Sequence, residues 1–295
     1  MFRELVKEKA VPITYELWSP RGCMVNQHFE AVSRFKDKLD AVNIPDNPLA
    51  TLRVSSIAYS KIVMDRLKID VIPHINCRDR NSLALQSDIL GAHLLGIRNL
   101  FIVGGDKPAG KTVKPKGVWA VTSTELCKIV KHLNEGFARS NDDLVEIYGK
   151  TDFFVGGAIV FDRKNEVEII SRKIEAGFDF FQSQIVFSHE KVLNFFREAE
   201  ERRVTINKPV LVGLSPQPSE KALNKLVRFL RVEMPKSSAD RLRRSGDFAG
   251  EMLSVCLEVA DELKSTLPPK YKIGFHIMPL GYDDLGRKLV EGLRG

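Results

Sequence analysis

Cysteine is scarce in this chain, and so are long apolar runs. Cys23, Cys77, Cys127 and Cys256 are the only four in 295 residues, and no two form a CxxC pair. A chain of this length needs no disulfide framework, so free thiols are expected. The hydrophobic stretches are short and interrupted, and the opening MFRELVKEKA lacks the apolar centre of a secretory signal. A cytoplasmic protein with no membrane partner is the expectation. Aromatic residues make up 8% of the chain and are not interleaved with basic ones, which argues against a nucleic-acid platform. No internal repeat or low-complexity segment marks a second domain.

What is present is enough for a large core, with 43% of residues hydrophobic. Lys and Arg number 45 against 38 Asp and Glu, a formal charge of +7. Basic and acidic residues alternate in stretches such as REAEERR and RLRRSGDFAGE, the pattern of solvated helical surfaces rather than of an anion-binding patch.

Eight short apolar segments read as strands: VPITYEL, DAVNI, KIDVIPHIN, NLFIV, TDFFVGGAIVF, DFFQSQIVF, KPVLVGLSP and KIGFHIMPLG. Helical patterns separate them. One spans about Asn26 to Lys38, and another, SLALQSDILGAHLLG, aligns Leu83, Leu85, Ile89, Leu90, Leu94 and Leu95 and stops at Gly96. Thr122 with Glu125 three residues on predicts a capping box. Eight strand and helix alternations in one domain over residues 1–295 match an α/β (β/α)8 TIM barrel, with a doubly wound open sheet as the competing architecture.

In either fold, ligands sit beyond the carboxyl ends of the strands. His74, Asn76 and Cys77 end one strand, and Gly104, Gly105 and Asp106 follow the next, so His74 and Asp106 are placed to share a ligand. Glu16 ends the first strand, where partial burial would raise its pKa and suit it to general acid work; a solvated strand-end carboxylate is the bland alternative. Gln182 and Gln184 fall on one face of an otherwise apolar strand. They either satisfy each other and the backbone or reach a polar ring system in the mouth. His74, Cys77 and His93 lack zinc spacing, so no metal site is expected. Gly105, Gly110, Lys111 and Thr112 fit the phosphate-cradling GxxxxGK[ST] pattern, but Pro115 and Gly117 oppose the helix that must start there, and a mobile loop is the better reading.

The ordered set ITYELWSPRG, HINCRDRN, GAHLLGIRN, GGDKP, RKIEAGFDFFQSQ and GFHIMPLG resembles the methylenetetrahydrofolate reductases over nearly the whole chain. The resemblance implies a (β/α)8 barrel that holds FAD, with FMN as the alternative. Such a barrel takes hydride from NADH or NADPH and converts 5,10-methylenetetrahydrofolate to 5-methyltetrahydrofolate. It implies that Glu16 is the catalytic acid that opens the folate's five-membered ring to an iminium. Asp106 corresponds to the carboxylate between the flavin pyrimidine edge and the pterin, and Gln184 to a folate contact. His74, Gly105, Glu166 and Lys173 correspond to flavin contacts, Glu166 standing where an Asp is usual as ribose partner.

Three departures bear on the flavin's adenosine half and on the nicotinamide donor. Pro45 replaces a threonine, the segment GGAIVFDRKNE is short, and Tyr282 stands where an arginine is expected. A homo-oligomer, or a separate electron-transfer subunit, is the partner expectation. Three further readings stay open: a folate-dependent methyl-transfer or demethylating barrel without redox flavin, a nucleotide-binding module on the Gly105 to Thr112 loop, and a non-catalytic subunit of an electron-transfer complex.

Overall fold

Every one of the eight apolar segments contains a parallel strand, and the eight close on themselves. The computed structural model describes residues 2–8, 11–107, 116–141 and 143–295. In chain order the strands are β1 (Ile13–Glu16), β2 (Ala41–Ile44), β3 (Val71–Asn76), β4 (Asn99–Val103), β5 (Phe137–Ser140), β6 (Asp143–Glu146), β7 (Phe154–Ile159), β8 (Phe180–Ile185), β9 (Val210–Leu214) and β10 (Ile273–Ile277). The helices are α1 (Phe2–Leu5), α2 (Asn26–Ser33), α3 (Ser56–Leu67), α4 (Ser82–Leu94), α5 (Ser123–Glu135), α6 (Glu166–Glu175), α7 (His189–Glu201), α8 (Glu220–Leu230), α9 (Lys236–Arg244), α10 (Phe248–Thr266) and α11 (Asp283–Arg294). The barrel order is β1-β10-β9-β8-β7-β4-β3-β2, which is a (β/α)8 barrel and not an open sheet.

Strand alternation sorts the core into two parts. One face of each strand packs against the surrounding helices. The other fills the barrel, where Ala41, Ile72, Phe101, Phe154, Phe180 and Leu211 form a separate cluster with Phe2 and Val6. These residues sit early in their strands, so α1 plugs the amino-terminal end. Phe2 lies 5.5 Å from the Phe180 ring, which stacks on Phe154 at 5.2 Å. The Phe2 amide is held by Asp70 at 2.5 Å. Gly156 is required here, because a Cβ would fall 2.2 Å from the Phe180 ring.

The helix signals behave as their chemistry predicts. Thr122 and Glu125 make both bonds of the capping box, and Gly96 and Gly177 leave their helices with φ of +87° and +99°. Some expectations are corrected. The helix from Asn26 does not run to Lys38: α2 stops at Ser33, and a separate 3₁₀ turn covers Lys36–Lys38. On α4 the buried residues are Leu85, Gln86, Ile89 and Ala92, spaced at i, i+1, i+4 and i+7, while Leu83 and Leu94 point to solvent. The antiparallel β5–β6 hairpin and the α1 plug are additions to the strand–helix alternation. Gly110, Lys111, Thr112 and Pro115, which carry most of the phosphate-loop pattern and the mobile-loop reading, lie outside the described residues.

If the Phe180 stack is what seals the barrel floor, Phe180→Ala should lower unfolding stability by about 3–5 kcal/mol. Urea denaturation would show this as a lower midpoint at unchanged slope. A loss below about 1 kcal/mol would mean that the floor repacks.

Candidate active site

Above the aromatic floor the barrel interior turns polar. Thr14 and Glu16 come from β1, Asn43 from β2, His74 from β3, Gln182 from β8 and His276 from β10, and burial obliges them to find partners. Asn43, fully buried, donates its amide to Gln182 Oε1 at 2.9 Å and to His74 Nε2 at 3.2 Å. His74 therefore accepts through Nε2 and is neutral. Burial is the main cause of its low pKa, about 4, with a smaller push from His276 and an opposing pull from Glu16. Thr14 Oγ1 lies 2.9 Å from His276 Nδ1.

Glu16 stands at the top of this layer. Trp18 Nε1–H donates to its Oε1 at 2.6 Å, and His276 Nε2 lies 3.8 Å from Oε2, an ion-pair distance and not a hydrogen bond. Burial pushes the carboxyl's pKa up, but His276 and the Trp18 donor together outweigh it and hold it below the ordinary value. The expectation of a raised pKa is thus corrected: in the free protein Glu16 is a carboxylate.

The mouth loops are tied by a buried charge cluster. Arg78, 2% exposed, grips Asp79 through Nε at 2.6 Å and Nη2 at 2.8 Å, and also donates to the main-chain oxygens of Asp106 at 3.2 Å and Asn47 at 3.1 Å. Asn76 donates to Asp46 Oδ2 and Asp79 Oδ2 at 2.7 and 2.9 Å, and Arg80 pairs with Asp46. Burial opposes charge on Asp79, yet Arg78, Asn76 and Asn47 keep its pKa below normal; at Asp46 burial wins over Arg80 and the pKa is raised. Gly105 has φ +85°, and a Cβ there would meet Arg78 Cβ at 2.7 Å, so this tight crossing admits only glycine.

These groups surround a cavity of about 210 Å³ lined by Glu16, Trp18, Pro45, His74, Gly105 and Asp106, among others. The Asp106 side chain is exposed at its rim. A larger groove of about 340 Å³ lies between α8, α9 and α10, but its charged residues Glu220 and Arg243 already pair with each other at 2.9 Å. The smaller cavity is the one with chemistry.

Three residues expected at the site lie elsewhere. The register slips between Gln182 and Ile185, so Gln182 and Gln184 do not share a face. Gln182 joins Asn43 inside the barrel, while Gln184 lines a separate small cleft with Asp162, Phe187 and Lys191. Glu166 is 3% exposed and already occupied, accepting from the Val160 amide at 2.8 Å and pairing with Arg163. Lys173 donates to the Ala158 carbonyl, and burial lowers its pKa to about 8. Both lock the β7–α6 connection, and neither lines the cavity. Of the four residues expected to contact a flavin, His74 and Gly105 line the cavity, whereas Glu166 and Lys173 bond the protein itself. Among the described residues no cluster of three or more His, Cys, Asp or Glu is placed to hold a metal, and no helix is long and apolar enough to cross a membrane.

Sequence reasoning passed over Thr14, Asn43, His276 and Arg78. The signal for Asn43 and His276 was a lone polar residue inside an apolar strand, AVNI and IGFHI.

Fold and site together define a (β/α)8 barrel with a carboxylate-bearing mouth over a buried polar layer. Residues 1–293 match the family described as methylenetetrahydrofolate reductase, and the chain belongs to that family. A probable methylenetetrahydrofolate reductase (NADPH) of Caenorhabditis elegans is 21% identical over 188 residues, 64% of this chain and 26% of that protein. Methylenetetrahydrofolate reductase 2 of Schizosaccharomyces pombe is 24% identical over 194 residues, 63% of this chain and 29% of that protein. The matched stretches thus span under a third of these curated relatives. A Clostridium thermocellum protein solved with two copies of 5-methyl-5,6,7,8-tetrahydrofolic acid superposes with a TM-score of 0.71 at 17% identity, covering 100% of this chain and 99% of that one. That likeness shows the shared fold.

The unfolded chain protonates histidine near pH 6.5, whereas folded His74 does so only near 4. His74 therefore makes stability fall as pH drops from above 6.5 towards 4. Imidazole NMR should find its ring neutral at pH 7 with a midpoint near 4; a midpoint above about 6 would contradict the Asn43 bond as drawn.

Proposed function

We propose that this chain reduces 5,10-methylenetetrahydrofolate to 5-methyltetrahydrofolate with hydride from NADH or NADPH. The observation that carries the reading is one cavity bearing both Glu16 and Asp106 above a buried polar layer in which Asn43 holds His74 neutral. A proton delivered by Glu16 to a nitrogen of the folate's five-membered ring opens it, leaving a cationic iminium. The Asp106 carboxylate at the rim stabilises that cation, and the neutral His74 beneath adds no opposing charge. Hydride then reaches the methylene carbon, so one hydride and one proton are consumed per methyl group formed. A flavin, where bound, supplies a hydride relay, and His74, Gly105 and Asp106 would face its ring. Glu166, the expected ribose partner, already accepts from the Val160 amide and pairs with Arg163, and no step above depends on it.

The occupation of Glu166 favours a second reading, a folate-binding methyl-transfer barrel without redox chemistry. The visible spectrum of the purified protein separates the two, together with assay for NAD(P)H-dependent 5-methyltetrahydrofolate. Product formed at the expense of NAD(P)H supports the first reading; binding of the methylated folate without any nicotinamide oxidation supports the second.

Residue roles are testable separately. Glu16→Gln should lower folate reduction by about 10²–10⁴-fold while nicotinamide oxidation by an artificial acceptor persists. Equal loss of both would remove the acid role. Asp106→Asn should slow turnover at least about tenfold, and a change within about twofold, roughly 0.4 kcal/mol, would count against it.

A further inference from the structure

The side chains that line the cavity offer acceptors more than donors. Asn47, Asn76 and Arg78 turn their N–H groups to Asp46, Asp79 and the carbonyls of Asn47 and Asp106. Three carboxylates share the same lining, Glu16, Asp46 and Asp106. Asp46 differs from the other two. It follows Pro45 just beyond β2, and its side chain is 5% exposed. Its Oδ2 is crowded, accepting from the Asn76 main-chain amide at 3.0 Å, from Asn76 Nδ2 at 2.7 Å and from Arg80. Its Oδ1 is bonded by no donor among the described residues. A carboxylate has acceptor sites on both oxygens, so half of this one is unused. Burial accordingly outweighs Arg80 and the Asn76 amide and raises the pKa of the group, which marks it as short of donors.

We infer that Asp46 Oδ1 accepts from the exocyclic amino group of the folate's pyrimidinone ring, which makes Asp46 a specificity-determining residue of this cavity. The inference rests on the folate reading above and adds to it the residue that recognises the ring. An amino group on such a ring is a donor, and a carboxylate bonds it with charge assistance. Glu16 is given to the acid step and Asp106 to the cation at the rim, so Asp46 is the lining carboxylate left for recognition. The glutamines do not take its place: Gln184 lines another cleft, and Gln182 Oε1 already accepts from Asn43.

Asp46 is also held firmly enough to discriminate. Asn76, at the end of β3, grips it through both its main-chain and its side-chain N–H, and Arg80 pairs in turn with Asp88 on α4 at 3.0 Å. A fixed, buried oxygen that lacks a protein donor is left unpaired by any ligand without an N–H at that point, and the penalty falls on the wrong ligand.

The test is a calorimetric titration of the full chain, without nicotinamide, using 5-methyltetrahydrofolate and an analogue in which a methyl group replaces the exocyclic amino group. Asp46→Asn keeps the side-chain shape. Because three donors meet Oδ2, the amide oxygen must take that side, and its NH₂ then faces the ligand as a donor against a donor. Wild type should bind the parent compound at least about tenfold more tightly than the analogue. Asp46→Asn should weaken the parent by a similar factor and the analogue by less than about twofold, so that the discrimination disappears. If Asp46→Asn lowers the urea midpoint, Asp46→Ser, which keeps an oxygen for Asn76 but is too short to reach the ligand, makes the same comparison. Discrimination below about twofold in wild type overturns the inference. Equal loss of both ligands in the variants also overturns it, because Asp46 would then be a loop anchor alone. The measurement needs no turnover, so the two readings fail separately. A chain that discriminates through Asp46 but reduces nothing contradicts the proposed reduction and leaves this inference standing; a chain that reduces folate yet binds both ligands alike does the reverse. Failure of wild type to bind either ligand overturns both.

Discussion

Polar side chains inside a closed apolar barrel have to satisfy one another, and that requirement organises the mouth. An unpaired amide or hydroxyl there costs on the order of 1–3 kcal/mol. The interior meets most of this with two short systems, Asn43 bridging Gln182 and His74, and Thr14 against His276; Asn43 Oδ1 is left without a partner among the described residues. Asn43 reaches across the barrel from β2 to Gln182 on β8, and Thr14 meets His276 only where β1 closes the barrel against β10. The pairing also sets a charge state: His74 is spoken for as an acceptor and stays neutral.

A second constraint acts on the loops. Three strand-end segments converge on Arg78, which holds Asp79 by its side chain and Asn47 and Asp106 by their carbonyls. Because the grip on Asp106 is through the main chain, its side chain remains exposed at the rim. Gly105 allows the chain to cross Arg78 closely enough for this. At the opposite end the Phe2, Phe154 and Phe180 stack closes the barrel, so the polar layer opens only towards the mouth.

The architecture was legible because each strand is a short apolar run bounded by turn chemistry and followed by an amphipathic helix. Local rules carried this far, down to both bonds of the Thr122 and Glu125 capping box. The placement of Glu16, His74, Gly105 and Asp106 around one cavity was legible too, since all four follow or end strands at the same face of the barrel. Non-local features were not. Thr14 and His276 are 262 residues apart, and only the closing register reveals them as neighbours. The slip in β8 depends on Ser183 accepting from the Gly213 amide across the sheet, which no alternation pattern in FFQSQI encodes. Glu166 and Lys173 were placed by resemblance, and no local pattern announced their bonds to Val160, Arg163 and Ala158.

The most direct test of the account is whether reduced folate binds at this mouth. The chain has two tryptophans, Trp18 and Trp119, and both flank the site: one donates to Glu16, the other to the Gly104 carbonyl at 3.0 Å. Intrinsic fluorescence is therefore a reporter of the mouth alone. Titration with 5-methyltetrahydrofolate, corrected for its own absorbance, should give a saturable change that Trp18→Phe diminishes. Fluorescence that stays constant to millimolar ligand would contradict the account.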